Sequence, residues 1–408
     1  MIKLIALIKN ILNSQLYTIS LYSRQVAGTV VLLLVTRMLP VYEYGLMRSY
    51  VAIASFLLMF ANLGYNEYIL VSSKNVVREI QIKIGFFTIN AIATVVIIMM
   101  ISAFVPLKSY LIFVLVLLRT FFDGTFFCIM LPYFQATRKF NLISYVNIFY
   151  SFITVLIAII CYIFHFSLAT FLLLGIFLGI FNFIQVTYYS GVKYSFALKY
   201  LKRIFKKIDK TIFSYAGVVL CAYLYMQIPS LYISTFISKE TAALYFAAYT
   251  IASIIALLMV AQAQKIIPEM INSSIQDIKT IITKNIKLIT IINAILLTFF
   301  IIFGKQILTI LYGRAVYADA YLMLIILSIS NFSYALICVY GSYLTASGNQ
   351  KIKMRMQMEA IMISLIVLAL FHKLGVYSAV ISYFITYSYI GLKYCIESKK
   401  IINLNKNV

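Results

Sequence analysis

Charged side chains are scarce in this 408-residue sequence, at 11%, where a water-soluble chain carries about a quarter. Hydrophobic residues instead reach 63%, and the mean hydropathy is +1.00. A single water-solvated core cannot hide that much apolar surface, so lipid must be the solvent for most of the chain. Histidine is almost absent. His165 and His372 stand alone at predicted loop edges and make no metal-ligand set. The five cysteines, Cys128, Cys161, Cys221, Cys338 and Cys395, lie within or at the ends of apolar segments. None forms a CxxC pair, which argues against a metal site or disulfide framework and leaves them as small buried hydrophobes. No GxxxxGK[ST] sequence occurs, and no polar segment is long enough for a nucleotide-binding domain, so the chain does not burn ATP itself. Met1 to Gln15 lacks the unbroken apolar core of a targeting peptide, because Lys3 and Lys9 interrupt it; the stretch reads as an amphipathic lead-in to the first span.

What is present is a series of apolar segments of membrane-spanning length, roughly 20 residues each. The predicted spans are Leu16–Leu39, Tyr44–Asn66, Ile80–Val105, Ser109–Phe134, Leu142–Phe164, Ser167–Tyr189, Thr211–Ile237, Ala242–Ile267, Lys287–Phe303, Ala320–Ala346, Met356–Phe371 and Val376–Ile396. With the N-terminus inside, roughly 25 of the 34 basic residues fall in the inner loops and about 6 outside. The outer set is Arg37, Lys108, Lys239, Lys305, Arg314 and Lys373. This bias predicts a multi-pass protein with both termini in the cytoplasm. It also turns the net charge of +23 into an orientation signal, with anionic membrane lipids as partners and no nucleic acid.

The most basic stretch, 193–210, separates a six-span lobe over 1–192 from a second over 211–408. Leu198, Leu201, Phe205 and Ile208 recur there at steps of three and four, as expected of a helix lying on the cytoplasmic leaflet. The lobes echo one another. Tyr44-Gly45-Leu46 leads to Ile53-Ala54-Ser55, and Ala242-Ala243-Leu244 leads to Ile251-Ala252-Ser253; Tyr133-Phe134-Gln135-Ala136-Thr137 likewise matches Tyr343-Leu344-Thr345-Ala346-Ser347. Six spans is an even number, so the copies run in the same direction, as parallel repeats. The predicted fold is all-α integral membrane, of about twelve helices in two six-helix lobes with a cavity between them. Such an architecture suits a carrier. The outer acids, Glu43, Glu240 and Asp319, are isolated and the outer loops short, which argues against an enzyme such as a membrane polymerase or ligase.

Thr36-Arg37-Met38-Leu39-Pro40 with Tyr42-Glu43-Tyr44-Gly45-Leu46 resembles the R-x-L…x-x-Y-G signature of polysaccharide-biosynthesis flippases. Ile310-Leu311-Tyr312-Gly313, followed by Tyr317-Ala318-Asp319-Ala320, resembles their L-x-G-x-x-Y-x-x-A element, and Thr345-Ala346-Ser347-Gly348 with Lys351 resembles their A-x-G-x-x-K turn. The resemblance covers nearly the whole chain and is to the Wzx-type O-antigen flippases of the MOP superfamily, which also contains the MATE exporters. It implies translocation of an undecaprenyl-diphosphate-linked oligosaccharide across a bacterial inner membrane. Proton or sodium coupling, rather than a bound cofactor, and contact with other polysaccharide-assembly proteins would go with that role. A MATE-like exporter of small cations is the alternative. Many members carry an Asp in the seventh span, where this chain has Gln227-Ile228-Pro229-Ser230, so a coupling role for that Asp does not transfer.

Ionisable residues inside spans are costly and mark cavities or partners. Arg24 lies about 12 Å into the first span, too deep to snorkel easily. Arg119 is near the middle of the fourth, and Arg48 sits about one turn inside the second. These three are the candidate ligands for a diphosphate or glycan. Asp123 is one turn from Arg119 on the same face; it either neutralises that arginine or carries the coupling ion, and the sequence leaves both readings open. Pro229 removes a backbone donor within the seventh span and is the hinge candidate. Gly175 and Gly179 form a GxxxG step suited to close helix packing.

Overall fold

In lipid, backbone polar groups find partners only within helices or closed barrels, and this chain takes the helical route. The structure, a computed structural model, describes residues 2–62, 64–65, 68–69, 77–104, 109–137, 139–194, 211–271 and 273–404. Within them run α1 (Ile2–Met38), α2 (Val41–Asn62), α3 (Val77–Ser102), α4 (Tyr110–Thr120), α5 (Phe126–Ala136), α6 (Phe140–Ile163) and α7 (Leu168–Ser190). The second half comprises α8 (Thr211–Phe236), α9 (Lys239–Ile271), α10 (Ile275–Tyr312), α11 (Tyr321–Ala346), α12 (Gln350–Phe371) and α13 (Val376–Leu404). A π-helical turn, Phe121–Thr125, joins α4 to α5 in one rod, so the described residues make twelve rods, as predicted. Nine of the described helices are apolar and long enough to cross a membrane.

Local chemistry sets the ends. Ser167 caps α7 by accepting the Thr170 amide, and Gly191 closes the helix in the left-handed region at φ 66°. Ser274 likewise accepts the Asp277 amide at the start of α10, and Gly313 ends it at φ 71°. These caps explain why α10 outruns its predicted span, Lys287–Phe303. Its 38 residues measure about 57 Å, nearly twice the lipid core, so hydropathy registers only the middle. The lead-in before Leu16 is continuous with α1. Apart from Lys193 and Tyr194, the predicted surface helix over 193–210 lies outside the described residues.

Some connection lengths recur between the two halves of the chain. Two residues join α1 to α2 and α8 to α9, three join α5 to α6 and α11 to α12, and four separate α6 from α7 and α12 from α13. Two compact units result: Met1–Met38 with Ile53–Leu220, and Leu39–Ala52 with Cys221–Val408. In the first, α1 packs along α6, and α7 packs against both α4 and α6. In the second, α11 is central, touching α9, α10 and α13. Side-chain bonds to main-chain carbonyls tie α11 to α9 and α10, Asn331 donating to Ala252 at 2.9 Å and Asn293 to Asn331 at 3.2 Å, and the Ser364 and Ser382 hydroxyls meet at 2.9 Å between α12 and α13. Each contributes on the order of 0.6 kcal/mol in a membrane setting.

The motif residues converge within the second unit. Tyr44 at the start of α2 lies 6.4 Å, ring to ring, from both Tyr312 and Tyr317, which are 4.8 Å apart. The Tyr312 hydroxyl donates to the Ala247 carbonyl at 2.8 Å. Gly45 abuts the Lys239 carbonyl so closely that any Cβ would overlap it. The tyrosine-glycine signatures therefore fasten α2 to α9 and to the α10–α11 turn.

Candidate functional site

The first unit gathers its deep charges at the π turn. One extra residue in a helical turn disturbs the regular ladder of backbone bonds and leaves main-chain groups open to side chains. Arg24, from α1, uses this opening: its guanidinium donates to the Asp123 carbonyl and, at 3.2 Å, to Asn147 Oδ1 on α6. The same group lies 4.3 Å from the Phe127 ring centroid and 5.1 Å from that of Tyr150. An arginine at the centre of a membrane helix costs about 2.5–3.5 kcal/mol on insertion scales. Two acceptors and two aromatic faces offset that cost.

The Asp123 carboxylate faces away from this contact. It accepts from the Tyr150 hydroxyl and from Arg119 Nε, which is 3.5 Å away. Arg119 also stacks its guanidinium 4.1 Å from the Phe171 centroid on α7. The α7 GxxxG step makes room for it. A Cβ on Gly175 would come within 2.9 Å of Arg119 Nε, and one on Gly179 within 2.6 Å of Phe122 Cβ. The glycines thus seat α7 directly on α4 and the π turn. The Asp123 side chain stays one-third exposed and that of Arg119 15% exposed. Two guanidinium groups and one carboxylate make the cluster net cationic: Arg119 meets the carboxylate, and Arg24 the main-chain carbonyl of the same residue.

Arg48 belongs to the second unit. Helix α2 begins three residues before its predicted span, which puts Arg48 about two turns inside rather than one. Its Nη2 reaches Thr250 Oγ1 at 3.4 Å, its guanidinium lies 5.2 Å from the Phe246 centroid, and its Nε is buried without a hydrogen-bond partner. The same unit holds a tyrosine stack. Tyr383 and Tyr387 are 4.0 Å apart, with Tyr225, Tyr249 and Tyr334 each within 6.0 Å of one of them. Pro229 lies within α8, where its missing amide leaves the Tyr225 carbonyl without its usual i+4 donor.

Arg24, Arg119 and Asp123 therefore come together within the first unit, while Arg48 belongs to the second. Sequence reasoning missed Asn147, Tyr150 and Phe127. A lone Asn in an apolar span was the available signal; the π turn had none beyond the Asp123-Gly124 pair. Among the described residues, no three His, Cys, Asp or Glu side chains cluster as a metal site would require.

A family model for polysaccharide biosynthesis proteins matches residues 34–317. The chain belongs to that family. Its match covers the α1–α2 signature, the whole π-turn region and the Tyr312–Tyr317 element. The fold is that of the MATE transporters. An outward-facing multidrug resistance MATE family transporter of the MOP superfamily superposes with a TM-score of 0.66 at 13% identity, over 96% of each chain. A MATE in the straight conformation gives 0.65 at 11% identity, over 97% of this chain and 96% of the other. The eukaryotic MATE transporter AtDTX14 gives 0.55 at 13%, over 94% of each. No curated protein sequence matches. The chain is thus a multi-pass membrane protein of the polysaccharide biosynthesis family with a MATE-like fold.

Proposed function

We propose that this protein is a flippase carrying a polyprenyl-diphosphate-linked oligosaccharide from the inner to the outer leaflet of a bacterial cytoplasmic membrane. The undecaprenyl-linked O-antigen type of repeat unit is the representative cargo, and both termini are cytoplasmic. The observation that carries this reading is the cluster of Arg24, Arg119 and Asp123, two cations to one anion, held among apolar helices of a polysaccharide biosynthesis family member. A diphosphate is a compact dianion or more, and planar guanidinium groups bind its oxygens in pairs. The alternative, export of small organic cations, needs an acidic cavity. The net positive balance at Arg24, Arg119 and Asp123 weighs against it.

In this mechanism Arg24 and Arg119 hold the diphosphate. Asp123 takes up a proton or sodium ion. On doing so it loosens its hold on Arg119, freeing that guanidinium for the cargo. Pro229 supplies the bend in α8 that alternating access requires. The chain forms and breaks no covalent bond, and other polysaccharide-assembly proteins receive the cargo. The test is reconstitution of the purified protein in vesicles with a fluorescent polyprenyl-diphosphate oligosaccharide, scoring its exposure to a membrane-impermeant reagent. Transfer of this lipid but not of a fluorescent organic cation is the expected result. Cation export without lipid transfer would overturn the reading.

A further inference from the structure

A groove of about 670 Å³ runs between α6 and α7, within the range of small-molecule sites. Its walls are two stripes spaced four residues apart: Asn141, Tyr145 and Phe149 on α6, and Phe181, Gln185 and Tyr189 on α7. The four-residue connection after Ile163 makes the helices antiparallel, so Asn141 stands level with Tyr189, Tyr145 with Gln185, and Phe149 with Phe181. Polarity therefore falls along the groove, from an amide and a phenol at one end to two bare rings about 12 Å deeper. The wall is open: Tyr145 is 64% exposed, Phe149 48% and Phe181 52%.

The polar end is also the basic end. Exposed Lys139, whose ammonium also donates to the Tyr133 hydroxyl at 3.1 Å, stands two residues before Asn141, and exposed Lys193 four residues after Tyr189. A head-to-tail gradient of cation, hydrogen-bond donor and aromatic ring mirrors a membrane lipid with an anionic headgroup. Basic pockets between helices at a membrane surface select such headgroups. We propose that the α6–α7 groove binds one anionic glycerophospholipid. Its phosphate lies among Lys139, Lys193, Asn141 and Gln185, and an acyl chain lies across Phe149 and Phe181. The leaflet concerned follows from the topology proposed above, but the binding itself does not depend on that topology or on transport.

The full chain purified in a non-ionic detergent tests this by native mass spectrometry during titration with phosphatidylglycerol or phosphatidylethanolamine. One phosphatidylglycerol should be retained in preference to phosphatidylethanolamine. The preference should fall roughly fivefold per lysine in Lys139→Gln and Lys193→Gln and should weaken at high salt. Gln185→Leu, on an open surface, should lower retention while the protein elutes unchanged on size exclusion. A photoreactive phosphatidylglycerol should label peptides containing Tyr145 or Phe149. Equal retention of the two lipids, labelling elsewhere, or retention unmoved by all three variants would each overturn the proposal. So would quantitative displacement of the labelled lipid by polyprenyl diphosphate, which would assign the groove to the cargo's tail. Loss of transport with intact lipid binding would count against the flippase reading alone.

Discussion

Arg24 meets Asp123 through the main chain and not through the carboxylate. Its guanidinium donates to the Asp123 carbonyl, while the Asp123 side chain is engaged by Tyr150 and Arg119. The two groups are neighbours without being a salt bridge, so the charge of Arg24 is solvated by neutral acceptors and aromatic faces.

Replacing Arg24 separates charge from geometry. Lysine keeps the charge but cannot fork between the Asp123 carbonyl and Asn147, so Arg24→Lys should retain partial transport. Arg24→Ala should abolish most of it at unchanged membrane abundance. Surface glycan in a complemented flippase-deficient strain, read beside an immunoblot, measures both; normal display with alanine would eliminate Arg24 as a ligand.

Asp123→Asn keeps the shape and removes the ionisable group. Transport should fall while abundance stays near normal, and the dependence of transport on an imposed ion gradient should disappear. Loss of abundance instead would make Asp123 the structural partner of Arg119. Tyr150→Phe, which removes one donor to the carboxylate and nothing else, should give a smaller defect of the same kind.

Two glycines should prove irreplaceable and one dispensable. Gly45→Ala would push a methyl group into the Lys239 carbonyl, and Gly179→Leu would drive into Phe122. Overpacking of this kind costs about 1–3 kcal/mol or more. Both variants should lower the midpoint of thermal aggregation in detergent and reduce membrane levels. Gly28 has open space where a Cβ would stand, with nothing within 4 Å, and should tolerate alanine without loss.

Single-cysteine labelling addresses orientation. A cysteine at Lys202 should react only after the membrane is permeabilised, and one at Lys239 in intact cells. Finding both on the same side would remove the orientation and, with it, the argument for parallel repeats.

The helical membrane fold and the number of rods among the described residues were both legible in the amino-acid order. They follow from long apolar runs and the internal backbone pairing that lipid enforces, which are properties of one segment at a time. Arg24, Arg119 and Asp123 were legible too, because a charge in an apolar run is conspicuous without knowing its neighbours. What those charges touch emerged only from the packed helices. The Arg24–Asn147 bond spans 123 positions, and the Asp123 carbonyl that Arg24 also meets lies in a π turn that hydropathy does not register. The roles of Gly45, Gly175 and Gly179 were settled at the same level. A glycine announces room for a close approach, but which helix fills that room is fixed by packing between segments far apart in the chain.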